Sequence, residues 1–408
     1  MKIILINKFL YPKGGDAIST LETGRLLSDK GHEVYYWGME HPENPDYPYK
    51  AYFVSYVDYN KPSGVFKELK SALNILYSFE AKRKIDTFIK MIKPDIVHLN
   101  NFAHQISPSI LYVFTKYKIP TVMTMRDYKL VCPSYSMLLK GRPCERCKNG
   151  RYYFCFLKRC TKGSFVKSLL NTIEMYLHHD ILHIYNKIDI FISPSRFLME
   201  KVKEMGFKGK IIYLPNFVDV KNLQPSYNYE EESIVYFGRL SYEKGLETLI
   251  EAVKGLPIRL KIIGEGPLKG YLISKVKNER INNIDFLGYK KGNELEKEIK
   301  KSMFVVLPSE WYENNPRTVI ESFALGKPVI GARIGGIPEL VIDNETGLTF
   351  RPQSIEDLRE KLLRLVNDKS GIVEMGRKAR KYIEERFNPE RHYEELMTIY
   401  KKAIERRL

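Results

Sequence analysis

Short, nearly continuous apolar strands alternate with longer amphipathic stretches, and the alternation occurs twice. In the first block, "KIILIN" precedes a helical pattern from Ser19 to Lys30 that stops at Gly31. "HEVYYWG", "DIVHLN", "TVMTM" and "DIFISPS" follow. After Val220 the rhythm restarts with "SIVYFG", "RLKIIG", "IDFLG", "FVVLPS" and "KPVIG". Strands apolar on both faces and separated by helices predict parallel sheets covered on both sides. Two such blocks in 408 residues predict an α/β protein of two doubly wound domains. The polar stretch 218–233 is the linker between them. Ligands of such sheets bind beyond the carboxyl ends of the strands, so two domains can face each other across a cleft.

Charge divides the halves. Of a net +17, residues 1–220 carry +13, from 33 Lys+Arg and 20 Asp+Glu. A field of that sign suits an anionic surface or substrate, or nucleic acid, and it also serves solubility. No apolar run approaches the roughly eighteen residues needed to cross a bilayer. The opening "MKIILINKFLYPKGG" is interrupted by Asn7 and Lys8 and reads as a buried strand rather than a signal peptide, which makes a cytoplasmic location the default.

Three motifs fall at strand ends. Gly14 and Gly15 follow the first strand and precede a helix, where backbone amides can approach an anion. They are not a dinucleotide fingerprint, and a plain turn fits them as well. In "YFGRLSYEKG", Gly238, Arg239 and Lys244 follow a strand, so a planar fork and a point charge could both reach a diphosphate; a solvated basic turn is the alternative. In "PSEWYENNPRTVIESFALGKPVIG", Asn315 suits a helix cap, Pro316 the first helical position and Gly326 the residue past the end. The predicted helix spans 316–325. Glu313 precedes it and Glu321 lies within it, at different depths. That separation argues for two contacts along an elongated ligand rather than one acid–base pair.

Together, the E-x7-E spacing of Glu313 and Glu321, "FGRLSYEKG", "IIGEGP" and "FALGKPVIGARIGGIPELV" resemble the family-four retaining glycosyltransferases of GT-B fold. "GGDAISTLETGRLLSDKGHEV", "DIVHLNN", "DIFISPSRFL" and "LPNFVD" extend the resemblance over nearly the whole chain. The resemblance implies an acceptor-side domain over 1–217, a nucleotide-sugar domain over 218–389, and a last helix, 390–408, that packs back on the first domain. It implies a UDP or GDP sugar as co-substrate, with no metal required for donor binding. Arg239, Lys244 and Glu313 would serve the reaction centre, the first two on the diphosphate. Gly14, Gly15, Gly238, Tyr289, Asn314, Asn315, Arg317, Thr318 and Glu321 would line the donor, with Glu321 on the ribose and Tyr289 near the base. Arg126, Asp127, His98 and Asn101 would lie on the acceptor side. The anomeric configuration would be retained, the leaving phosphate taking the acceptor proton. The implied acceptor is a lipid-linked molecule or glycan of cell-surface assembly; a small soluble acceptor, or a scaffold that binds without turnover, are the alternatives. The family pattern is departed from at three places: Arg126 stands where His is common, Phe217 where Gly is usual, and "NNP" replaces a glycine-containing run after Glu313.

All five cysteines lie in a segment spanning 132–162. Cys132, Cys144, Cys147 and either Cys155 or Cys160 could form a tetrahedral structural zinc site; scattered free thiols are the alternative. Residues 140–162 hold eight Lys/Arg against one acid, interleaved with Tyr152, Tyr153, Phe154 and Phe156. That mixture suits an anionic membrane interface, single-stranded nucleic acid, or a flap packed over the cleft. The transferase motifs favour the membrane over nucleic acid, and hence a peripheral protein on the inner face of the cell membrane.

Overall fold

The computed structural model describes residues 1–56 and 73–407. The two blocks form two six-stranded parallel sheets. The first contains β1 (Lys2–Ile6), β2 (Glu33–Trp37), β3 (Ile96–Leu99), β4 (Thr121–Thr124), β5 (Ile190–Ser193) and β6 (Ile211–Tyr213), in the order β2-β1-β3-β4-β5-β6. The second contains β7 (Ser233–Phe237), β8 (Arg259–Ile263), β9 (Ile284–Gly288), β10 (Phe304–Leu307), β11 (Val329–Ala332) and β12 (Gly347–Phe350), in the order β9-β8-β7-β10-β11-β12. Every residue of β3, β4, β5 and β10 is buried, which is why those segments read as unbroken apolar runs. Five helices matter below: α1 (Gly15–Asp29), α2 (Tyr153–Leu157), α3 (Phe165–Tyr176), α4 (Arg317–Ala324) and α5 (Pro389–Glu405).

β1 shows how the first domain is covered. Ile4 and Ile6 face one apolar cluster, while Ile3 and Leu5 face another that contains Leu396, Ile399, Tyr400 and Ala403 of α5. The last helix therefore lies on the first sheet. Asn388 caps it through Arg391 N at 2.9 Å, with Pro389 in its first turn. Phe217 fills the corner beneath it, its ring 4.7 Å from that of His392.

Two helix starts differ from the sequence expectation. α1 begins at Gly15 rather than Ser19, because its first turns bury small polar residues that bond their own backbone: Thr20 Oγ1 donates to Asp16 O and Thr23 Oγ1 to Ser19 O, each at 2.8 Å. Apolar periodicity is absent there although the helix has begun. α4 begins at Arg317, and Pro316 occupies the cap position; Asn315 is not the cap, because its Oδ1 accepts from Asn216 Nδ2 at 3.0 Å. Gly326, at φ 74°, does end the helix as predicted.

His98 is buried, and it lines the same small cavity as Arg126. It faces α5, with Nδ1 2.8 Å from Tyr400 Oη and Nε2 2.7 Å from Thr124 Oγ1. Burial lowers its pKa to about 3, and burial lowers that of His392 to about 4. Both rings are neutral in the fold and accept protons more readily once it opens. The unfolded chain therefore binds more protons between about pH 6.5 and pH 3, so their contribution is complete above that window and is lost as pH falls through it. The thermal unfolding midpoint should drop across that window. His98→Gln, which cannot titrate, should flatten the slope, and an unchanged slope in that variant would contradict the assignment.

Candidate functional site

The carboxyl end of β7 opens into a loop that carries Arg239, exposed, and Lys244. Gly245 has φ 65°, and a Cβ there would lie 2.0 Å from Pro308 O, so only glycine lets this loop close against the one after β10. The approach brings Lys244 Nζ 2.6 Å from Glu313 Oε1, which also accepts from Ser309 Oγ at 2.6 Å. Gly335 holds Glu313 from the other side: at φ 61°, a Cβ would fall 2.4 Å from Glu313 O. Burial raises the Glu313 carboxyl, but Lys244, Ser309 and Trp311 more than offset it, and its pKa is lowered. Glu313 is thus an ionised, buried carboxylate fixed by a cation.

Glu321 belongs to a different cluster. Its Oε1 accepts from Arg317 Nε at 3.0 Å, and the other end of Arg317 forks onto Glu22 of α1, at 2.6 and 2.9 Å. Burial raises the Glu321 pKa more than Arg317 lowers it. The Arg317 stem runs beside Gly15, where a Cβ would lie 3.5 Å from its Cδ. The side chains before α4 also reach the first domain. Asn314 Oδ1 accepts from Ser195 Oγ at 2.8 Å, its Nδ2 donates to Met125 O at 3.2 Å, and Asn315 meets Asn216. Thr318 Oγ1 donates to Phe237 O at 3.5 Å, at the end of β7. Gly238 has φ 150° there, and Tyr289 projects, exposed, past the end of β9.

On the facing side, Asn101 Nδ2 donates to Asp16 Oδ2 at 3.0 Å, anchoring the first turn of α1. Arg126 donates from Nε and Nη2 to Asn100 Oδ1 at 3.1 and 2.8 Å, and from Nη1 to Asn216 Oδ1 at 2.8 Å. Burial lowers its pKa to about 10, while Asp16 and Glu22 nearby raise it, so it remains a cation at neutral pH; its hydrogen bonds among the described residues go to amide oxygens. Asp127 Oδ1 accepts from Lys129 N at 2.9 Å, and burial raises its carboxyl. Sequence reasoning missed Glu22, Asn216 and Ser195. Each falls within a stretch that carries the family resemblance, but only the fold brings them to the donor-side helix.

The cysteine-bearing segment packs across the cleft entrance. Tyr312 Oη, next to Glu313 in sequence, donates to Glu145 Oε1 at 2.8 Å, and Gln353 Nε2 donates to Gly141 O at 3.3 Å. The zinc expectation is corrected. Among the described residues, no three His, Cys, Asp or Glu side chains come together as a metal-holding group. Cys132, Cys144, Cys147, Cys155 and Cys160 are free thiols. Cys132, Cys147 and Cys155 lie in the apolar core, where burial pushes the first two thiols up and away from the thiolate that binds metal. Cys155 and Cys160 are engaged with each other. The aromatic expectation also shifts: Tyr152 is core, Phe154 and Phe156 are half-buried, and only Tyr153 is exposed.

Two family models divide the chain: Glycosyltransferase Family 4 matches residues 13–222, and Glycosyl transferases group 1 matches residues 220–386. N-acetyl-alpha-D-glucosaminyl L-malate synthase of Bacillus anthracis is 23% identical over 96% of this chain and 94% of that protein. Sucrose-phosphate synthase from Thermosynechococcus elongatus superposes with a TM-score of 0.72 at 18% identity, covering 98% of each chain. Anabaena Alr3699/HepE in complex with UDP-glucose gives 0.68 at 15% identity, over 98% of this chain and 99% of that one. These likenesses show the GT-B fold.

The buried Lys244–Glu313 pair makes a stability prediction. Lys244→Met strands a buried carboxylate and should lower the unfolding free energy by about 3 kcal/mol in chemical denaturation. Adding Glu313→Gln should recover a large part of that loss; a double variant no more stable than the single one would contradict the pairing.

Proposed function

From the premise that this chain belongs to glycosyltransferase family 4, we propose that it moves a sugar from a nucleotide-diphosphate donor, with retention, to an acceptor held by the first domain. The observation that carries the reading is the cluster of Lys244, Glu313 and Ser309 beside the exposed Arg239. Without donor, Lys244 is neutralised by Glu313. A diphosphate entering the cleft brings further negative charge, and Arg239, exposed and without an ion pair among the described residues, stands at the head of the same loop. Together the two cations stabilise the charge that develops on the leaving phosphate, in a site partly shielded from water. Glu313 and the amides after it meet the transferred sugar, Glu321 accepts from the ribose, and Tyr289 lies toward the base. Gly14 and Gly15 leave the phosphates room beneath α1.

Retention follows a front-face course. The bond between the anomeric carbon and the donor phosphate breaks, and the acceptor oxygen bonds to that carbon on the same face. The acceptor proton passes to the departing phosphate oxygen, and the nucleoside diphosphate leaves. This course requires no enzymic nucleophile, and Glu313, already committed to Lys244, is poorly placed to act as one. The UDP-glucose bound by the HepE structure supports a nucleotide-sugar donor, UDP- or GDP-linked.

For the acceptor, the positive first domain supports a lipid-linked or glycan molecule in cell-surface assembly at the inner membrane face. A second reading, a small acidic acceptor, is supported by Arg126, a cation whose hydrogen bonds among the described residues go to amides, and by the malate in the name of the Bacillus relative.

A panel of UDP and GDP sugars, assayed for nucleotide release with and without acceptor, tests the donor assignment. Arg239→Ala should lower turnover on the active donor roughly 100-fold, about 3 kcal/mol, without lowering thermal stability, since the side chain is exposed. Near-full activity in that variant would contradict the phosphate role.

A further inference from the structure

Helix α3 is turned inside out. Its buried residues are Ser168, Asn171, Thr172, Glu174 and Met175, while Phe165, Val166, Leu169 and Ile173 face outward, exposed by 48, 73, 37 and 46%. The spacing places all four on one side of the helix. The orientation is pinned from within. Asn171 Nδ2 donates to Pro133 O at 3.1 Å, Ser168 Oγ accepts from Thr161 N at 3.0 Å, and Glu174 Oε2 lies 2.6 Å from Lys129 Nζ. Rotating the helix to hide the apolar stripe would break all three contacts and strand a fully buried carboxylate. The ring of Phe156 packs 4.4 Å from that of Phe165, which joins α2 to the same face, and Leu157 at the end of α2 is 59% exposed.

We propose that this face, α3 with the end of α2, docks on an anionic lipid surface. Charge selects the occupant. Residues 146–173 contain seven Lys/Arg and no Asp or Glu. Lys158, Arg159 and Lys167 are exposed beside the stripe and carry no ion pair among the described residues. Two copies meeting through this face would bring these cations together, whereas a lipid surface takes up apolar side chains below its headgroups and neutralises the cations at them. No helix among the described residues is long and apolar enough to cross a membrane, so the contact is lateral. The element differs from the one the sequence pointed to: Tyr152 is core, and the exposed apolar area lies mainly on α3. The inference deepens the reading of a lipid-borne acceptor, and the test separates the two, because transfer to a soluble acceptor does not require docking.

Full-length protein is sedimented with phosphatidylcholine vesicles and with vesicles containing phosphatidylglycerol. Binding should require the anionic lipid and weaken with salt. A variant with Phe165→Ser, Val166→Ser, Leu169→Gln and Ile173→Gln should bind at least about tenfold more weakly. It should keep the wild-type circular dichroism spectrum and nucleotide-release activity, because these side chains are exposed. Lys158→Gln, Arg159→Gln and Lys167→Gln together should flatten the salt dependence. No binding to anionic vesicles, equal binding to both lipids, or wild-type binding by the stripe variant would each overturn the proposal. So would a dimer in analytical ultracentrifugation that the stripe variant dissolves.

Discussion

One guanidinium joins the two halves at the site. Arg317 forks onto Glu22 in the first domain and holds Glu321 in the second. Two carboxylates share one cation, and burial keeps all three from being screened well by water. The position of Glu321 is therefore tied to the first helix of the other domain. Asn314 and Asn315 add four hydrogen bonds across the same seam, so the loop carrying Glu313 is referenced to the first domain as well. Opening the cleft must break these contacts, each worth on the order of 1–3 kcal/mol where a charge is involved. Both glutamates of the motif thus report on how the domains meet.

The segment between β4 and α3 makes the same seam from outside. Glu145 receives Tyr312 Oη and an ion pair from Lys201, bracing the loop that precedes Glu313. Cys132 and Cys147 supply packing there, their thiols raised by burial, rather than a metal staple. Beyond them α3 buries its polar side on a carboxylate network and leaves its apolar side outside. The first domain thereby gains an exposed apolar stripe flanked by cations.

What the sequence disclosed follows from how local each cause is. Parallel strands buried on both faces leave unbroken apolar runs, so both sheets were legible, and so was Gly326, because a positive φ past a helix end favours glycine. The E-x7-E motif and the loop with Arg239 and Lys244 stood out because their residue types are costly without a partner. The misses all depend on partners distant in the chain. His98 reads as a polar residue at a strand end, and only α5, some three hundred residues later, turns it into core. Asn315 has the composition of a cap, but Asn216 claims its side chain. Clustered cysteines look alike whether they bind metal or fill a core, because burial sets their protonation.

The central claim is that a nucleotide sugar lies across the seam, its diphosphate on the loop after β7 and its ribose on α4. A crystal structure with a bound nucleoside diphosphate tests this directly. Phosphate oxygens should lie within hydrogen-bond reach of Arg239 and Lys244, and the ribose hydroxyls on Glu321. A nucleotide bound elsewhere, or one whose phosphates leave Lys244 and Arg239 untouched, would contradict it.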